Sequence, residues 1–78
     1  MIGKALKFVR TEKRLKQSDL CKILNIGQST LSDYENEKIS INFEMIEKIA
    51  NICDYEIYFE NKINKKKFKV KDIERKVD

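Results

Sequence analysis

Gln17-Ser18-Asp19-Leu20-Cys21-Lys22-Ile23-Leu24-Asn25-Ile26-Gly27-Gln28-Ser29-Thr30-Leu31-Ser32-Asp33-Tyr34-Glu35 is the stretch whose reading decides the fold. Leu20, Cys21 and Leu24 recur at helical spacing over 17–24, and Leu31 and Tyr34 do so over 28–35. Ser18 and Asp19 suit the positive end of the first helix. Asn25 stops it, because Asn tolerates the left-handed backbone needed just past a helix end. Ile26 plugs the angle between the helices, and Gly27 lets the chain re-enter helix without a steric penalty. The reading is two short amphipathic helices joined by a three-residue turn, Asn25 to Gly27. The second turns Gln28, Ser29, Ser32 and Asp33 outward, with Thr30 at the boundary.

A helix before this pair runs from Ile2 to about Lys13, with Ile2, Ala5, Leu6 and Val9 as its apolar stripe and Phe8 on the edge. A helix after it is capped by Ser40 or Asn42 and buries Phe43, Ile46, Ile49, Ala50 and Cys53, flanked by Met45 and Ile52. After Asp54 the period changes. Tyr55, Ile57 and Phe59 alternate with Glu56, Tyr58 and Glu60, which predicts a strand. Residues 66–70 form a candidate second strand, 61–65 the connection, and Asp72 caps a last short turn carrying Ile73 and Val77. The fold class is mainly α with a short C-terminal β-strand or hairpin, divided into a helical domain 1–54 and a β extension with basic tail 55–78. An isolated hairpin is scarcely stable in water, so the Tyr55, Ile57, Phe59 stripe is expected to meet the helical core or a second chain.

With 78 residues the chain makes one small domain that buries only about 60% of its unfolded surface, and a homodimer would add to its stability. Residues 1–60 carry nine Lys/Arg against ten Asp/Glu, whereas 61–78 carry eight against three, so the basic pI of 9.1 belongs mostly to the tail. Lys4, Lys7, Arg10, Lys13, Arg14 and Lys16 nevertheless face only Glu12, so the first helix and its exit either lie against phosphates or form a solvated face. The lysines at 65–67 have three readings: DNA phosphate contact, binding of a protein partner, or protection of an edge strand from aggregation.

Cys21 and Cys53 lie on apolar faces, with no Cys-x-x-Cys pair and no His, so no metal site is expected and the thiols pack as small hydrophobes in a reducing compartment. Lys4, Lys7 and Arg10 fall where a signal peptide would need an apolar run, and no stretch approaches the roughly 20 apolar residues of a membrane span. The expectation is a cytoplasmic protein without membrane contact, cofactor or evident small-molecule ligand. With no nucleophile–base pair and no phosphate-cradling glycine loop, it is not expected to be an enzyme.

These residues resemble the Cro/repressor-type (XRE) helix-turn-helix family over about 2–53. The resemblance rests on Leu6, Arg10, Leu15, Gln17, Leu20, Cys21, Ile26, Leu31, Ser32, Tyr34, Glu35, Asn36 and Ile49-Ala50. It implies a four- to five-helix, lambda-repressor-like DNA-binding domain. Within the family the likeness is nearest to HipB-like antitoxins, through Ala5 to Arg10, Gln28 to Ser32 with Glu35-Asn36, and the strand after the fourth helix. That implies a homodimer paired through Tyr55, Ile57 and Phe59, and a possible toxin protein as partner. By resemblance Arg10 pairs with Glu35, while Gln17 touches a phosphate and braces the second helix of the pair. Gln28, Ser29, Thr30, Ser32 and Asp33 face bases, and Lys16, Asn36 and Lys38 join Gln17 along the backbone of double-stranded DNA.

Chemistry agrees: Gln bonds adenine bidentately, Ser bonds several bases, and Asp accepts from cytosine N4. The same side chains also suit a solvated helix face, and Asp33 suits equally the ordering of a neighbouring Lys or Gln. The implied function is a sequence-specific, dimeric transcriptional repressor; the alternative is an antitoxin that neutralises a toxin and regulates its own operon. Four positions depart from the family pattern: Lys16 where a capping Ser or Thr is common, Asn25 and Glu37 where glycines are usual, and Ile41 for a common Pro. A carboxylate at 37 repels a phosphate unless it turns away.

Overall fold

Helix ends, more than helix middles, set the path of this chain. In the computed structural model, which describes residues 1–76, α1 spans Ile2–Glu12, α2 Gln17–Leu24, α3 Gln28–Glu35 and α4 Phe43–Ile52. Each is followed by a non-glycine residue at positive φ: Arg14 at 62°, Asn25 at 57°, Glu37 at 60° and Asp54 at 67°. After α1, Leu15 N–H donates to the Arg10 carbonyl (3.2 Å) and Arg14 N–H to that of Thr11 (2.9 Å). The same pair of bonds closes α3, Lys38 to Asp33 (2.9 Å) and Glu37 to Tyr34 (3.2 Å), and α4, Tyr55 to Ala50 (2.8 Å) and Asp54 to Asn51 (3.1 Å). These bonds satisfy the last carbonyls and reverse the chain within a residue or two. The cost is a left-handed backbone on side chains with a Cβ, about 1–2 kcal/mol each.

Leu6, Leu20, Cys21, Leu31, Ile49 and Cys53 form the buried core, so all four helices contribute; Val9, Leu15, Leu24, Ile26, Tyr34, Ile41, Met45, Ile46 and Ile52 pack around it. Ala5, Ile2 and Phe8, read as stripe residues of α1, are exposed, because only Leu6 and Val9 of that stripe reach the core cluster. Asn42 caps α4, its Oδ1 accepting from Met45 N–H at 2.8 Å.

Gly3 is where α1 crosses the end of α3. A Cβ there would stand 2.3 Å from the Tyr34 carbonyl oxygen and 2.9 Å from that of Glu35, so only glycine permits the approach. Gly27 is different. Its φ is −72° and a Cβ would meet nothing closer than 3.8 Å, so the expected steric role at that turn is absent.

The expected strand over 55–60 is shorter: β1 is Phe59–Glu60, antiparallel to β2, Lys67–Phe68, with Phe59 opposite Phe68 and Glu60 opposite Lys67. Tyr55 and Ile57 instead border an apolar groove between α1 and α4, lined also by Leu6, Val9 and Ala50, where no neighbouring strand meets their backbone. α5, Val70–Lys76, follows β2. Asp72 does not sit at its cap; it accepts from the Lys69 N–H one turn earlier (3.0 Å). Val77 lies outside the described residues. Among the described residues the molecule is mainly helical, with five helices and one short antiparallel hairpin, and no described helix is long and apolar enough to cross a membrane.

Candidate nucleic-acid interface

One buried carboxylate joins three helices. Glu35, in the last turn of α3, accepts from Arg10 Nε at 2.6 Å and Nη2 at 2.9 Å, and from Gln17 Nε2 at 3.0 Å. Arg10 also donates through Nη1 to the Leu15 carbonyl at 2.8 Å, so the guanidinium holds the exit of α1 as well. Burial pushes the Glu35 carboxyl up, but the bonds from Arg10 and Gln17 and the Arg10 charge outweigh it and hold the group below its ordinary value. Bonding to Glu35 raises Arg10 in turn, so the pair stays ionised. The start of α2 and the end of α3 are thereby fixed to each other.

This fixation decides what α3 can show. Leu31 and Glu35 are buried, Gln28 and Ser29 are exposed, and Thr30, Ser32 and Asp33 are half-buried. Of the predicted base-reading side chains, Gln28 and Ser29 are thus open to solvent, and Thr30, Ser32 and Asp33 partly so. Asn36, exposed, donates Nδ2–H to the Ser32 hydroxyl oxygen at 3.2 Å, leaving the hydroxyl hydrogen free to donate elsewhere. Asp33 forms no ion pair with a lysine among the described residues; its backbone carbonyl takes the Lys38 N–H.

Both helices of the pair begin with free donors. Gly27 supplies no side chain to cap α3, and Lys16, having no acceptor, cannot cap α2; Asp19 accepts from the Lys16 N–H at 3.0 Å, which is one half of a capping box. In the first turn of α2 the Asp19 N–H donates to the Lys16 carbonyl (3.1 Å), and no side chain caps the amides before it or those that open α3, which lie at the positive ends of the helix dipoles. Lys16 is exposed at the start of α2, Lys38 and Asn36 just past α3, and Gln17 is half-buried with part of its amide on Glu35.

A pair of short helices crossing through Leu20 and Leu31, with donor-rich ends and a polar outer face on the second, is the helix-turn-helix arrangement. A family model described as Helix-turn-helix matches residues 6–59. The chain belongs to the helix-turn-helix family. Comparison with curated proteins and with solved structures finds no match. The helix-turn-helix family is a DNA-binding, regulatory one.

Sequence reasoning missed Gly3, and it singled out Glu37 without finding the partners of its carboxylate. Gly3 lets α1 approach α3, and Glu37 turns back to the start of α1, where its Oε2 accepts the Gly3 N–H (3.1 Å) and pairs with the Met1 ammonium. A carboxylate so engaged is directed at the start of α1. A lone glycine inside an apolar helical stripe was the available signal for Gly3. Cys21 and Cys53 are buried, which raises both thiols, and Cys21 Sγ donates to the Gly27 carbonyl at 3.6 Å, tying α2 to the turn.

Proposed function

We propose that the protein is a sequence-specific repressor that binds an operator as a homodimer, each copy inserting α3 into the major groove on half-sites about 34–36 Å apart. The observation that carries the reading is the Arg10–Glu35–Gln17 network, which holds α3 rigidly by its inner side while Gln28, Ser29, Thr30, Ser32 and Asp33 remain on the outer one. Those five read bases. Lys16, Gln17, Asn36, Lys38 and the first-turn amides bind phosphates and set the register. Residues 55–78 form the dimerisation part in this reading, with Tyr55, Ile57 and Phe59 at the contact; Tyr55 and Phe59 are exposed in the single chain, which supports it. Repression follows from occupying a promoter, most simply the protein's own.

The test is selection of duplexes from a random library, followed by titration of the selected and a scrambled duplex. Gln28→Ala is expected to cost roughly 1–3 kcal/mol on the selected duplex and almost nothing on the scrambled one. Equal losses on both remove base readout. Sedimentation of the free chain and of Phe59→Asp tests the dimer: a wild-type monomer that binds a single half-site removes that part. Co-purification of a stoichiometric protein that blocks DNA binding would move the reading to an antitoxin.

A further inference from the structure

DNA-binding proteins gain most of their sequence-independent affinity by setting Lys and Arg against phosphates, and the helical domain 1–54 has a surplus of only one, nine basic against eight acidic side chains. Residues 1–60 hold nine basic and ten acidic side chains. Of the basic ones, Arg10 is buried on Glu35 and Lys13 is paired with Asp54. The surplus lies beyond residue 60, and within the hairpin it is unevenly used. At the hairpin's base Lys67 pairs with Glu60 (3.6 Å) and Lys69 with Glu56 (3.1 Å). At the tip, Lys62, Lys65 and Lys66 are exposed and meet no carboxylate among the described residues.

The tip is also held in shape. Asn61 N–H donates to the Lys66 carbonyl (2.8 Å) and Lys65 N–H to that of Asn61 (2.9 Å). Asn61 Oδ1 accepts from the amides of Ile63 (2.9 Å) and Asn64 (3.2 Å), and Asn64 Oδ1 from that of Lys66 (2.9 Å). Lys65 takes the left-handed backbone, φ 64°, that completes the turn. Five hydrogen bonds thus fix a loop whose outward side chains are three lysines and Ile63, the latter 92% exposed at the apex. A lysine loop serving only solubility needs no such order, whereas a binding element gains from it, since the ordering entropy is already met before contact.

We infer that the hairpin tip is a second DNA-contacting element, in which Lys62, Lys65 and Lys66 lie against the phosphate backbone flanking the segment offered to α3. This rests on the DNA-binding reading above but not on base readout by α3. The tip adds affinity without sequence preference, supplying the charge the body is short of.

The experiment uses the full chain with Lys62→Gln, Lys65→Gln and Lys66→Gln combined, titrated against the selected and the scrambled duplex from about 50 to 200 mM NaCl. Three lost phosphate contacts make the slope of log affinity against log salt shallower by about 2.7 per hairpin engaged, so for each hairpin the wild type loses about 40-fold more affinity across that range than the variant. The change is expected to be equal on both duplexes, leaving their ratio intact, and the corresponding triple Lys→Arg chain is expected to keep the wild-type slope. A Gln variant with the wild-type slope overturns the inference, as does a loss confined to the selected duplex. A wild-type slope combined with lost retention on immobilised poly-glutamate also overturns it and assigns the tip to an acidic polypeptide. If selection returns no preferred duplex, base readout by α3 fails, while the slope on the scrambled duplex still judges the hairpin.

Discussion

Residues 2–53 hide Leu20, Leu31 and Ile49 wholly from solvent and bury the ion pair of Arg10 with Glu35, whereas residues 58–69 hold together by surface contacts. The hairpin has two paired positions, one stack of Phe59 on Phe68 with centroids 5.4 Å apart, Lys67 over the Tyr58 ring at 5.0 Å, and exposed ion pairs. Burial makes the body one cooperative unit. The hairpin's side-chain contacts are exposed, so its order rests on the hydrogen bonds of its own turn and is separable from that of the body.

The contrast is tested most severely at the ion pairs. Arg10→Ala or Glu35→Ala is expected to destabilise by about 3–5 kcal/mol in denaturant titration, because the partner is left charged and buried, whereas Glu60→Ala is expected to change stability by less than about 0.5 kcal/mol. Similar losses from the two would erase the distinction. Acid sharpens it further. Glu35 lies below its ordinary value, so its contribution is complete above the unfolded value, about 4.3, and is lost as pH falls through the lower folded value; Glu35→Gln is expected to flatten the stability profile in that window.

Gly3→Ala comes next, at about 1–3 kcal/mol, because a methyl group 2.3 Å from the Tyr34 carbonyl oxygen must push α1 off α3. Thermal unfolding reads this directly, and an unchanged midpoint would mean the crossing is looser than the distances state. In the extension, Phe68→Ala is expected to remove roughly 0.5–1.5 kcal/mol from the hairpin alone. Amide exchange should quicken at Glu60 and Lys67 and stay unchanged at Leu20 and Leu31; quickening at all four would join the two regions. Smallest is a gain: Arg14→Gly relieves a left-handed side chain and is expected to stabilise by about 0.5–1 kcal/mol in the same denaturant titration.

The body was far more legible than the extension, for the same reason. The bounds of α2 and α3 and the left-handed Asn25 follow from local periodicity and one residue's tolerance for positive φ. The Arg10–Glu35 pair came by resemblance, and the structure bears its geometry out. Alternation over Tyr55 to Glu60 does indicate extended chain, but a strand also needs a hydrogen-bonded neighbour, and at Tyr55 and Ile57 the neighbour is a groove between helices. Non-local facts were invisible: which helix crosses at Gly3 and where the Glu37 carboxylate turns.

The side chains that hold α3 and those it shows to solvent are almost separate sets. Leu31 and Glu35 carry the attachment, while Gln28, Ser29 and Asp33 take no part in the buried network. Codons 28, 29 and 33 can therefore be randomised together with little loss of folded yield, and recognition can drift or be re-engineered on an unchanged scaffold. Position 32 is the exception, since a replacement there without an acceptor oxygen also releases Asn36.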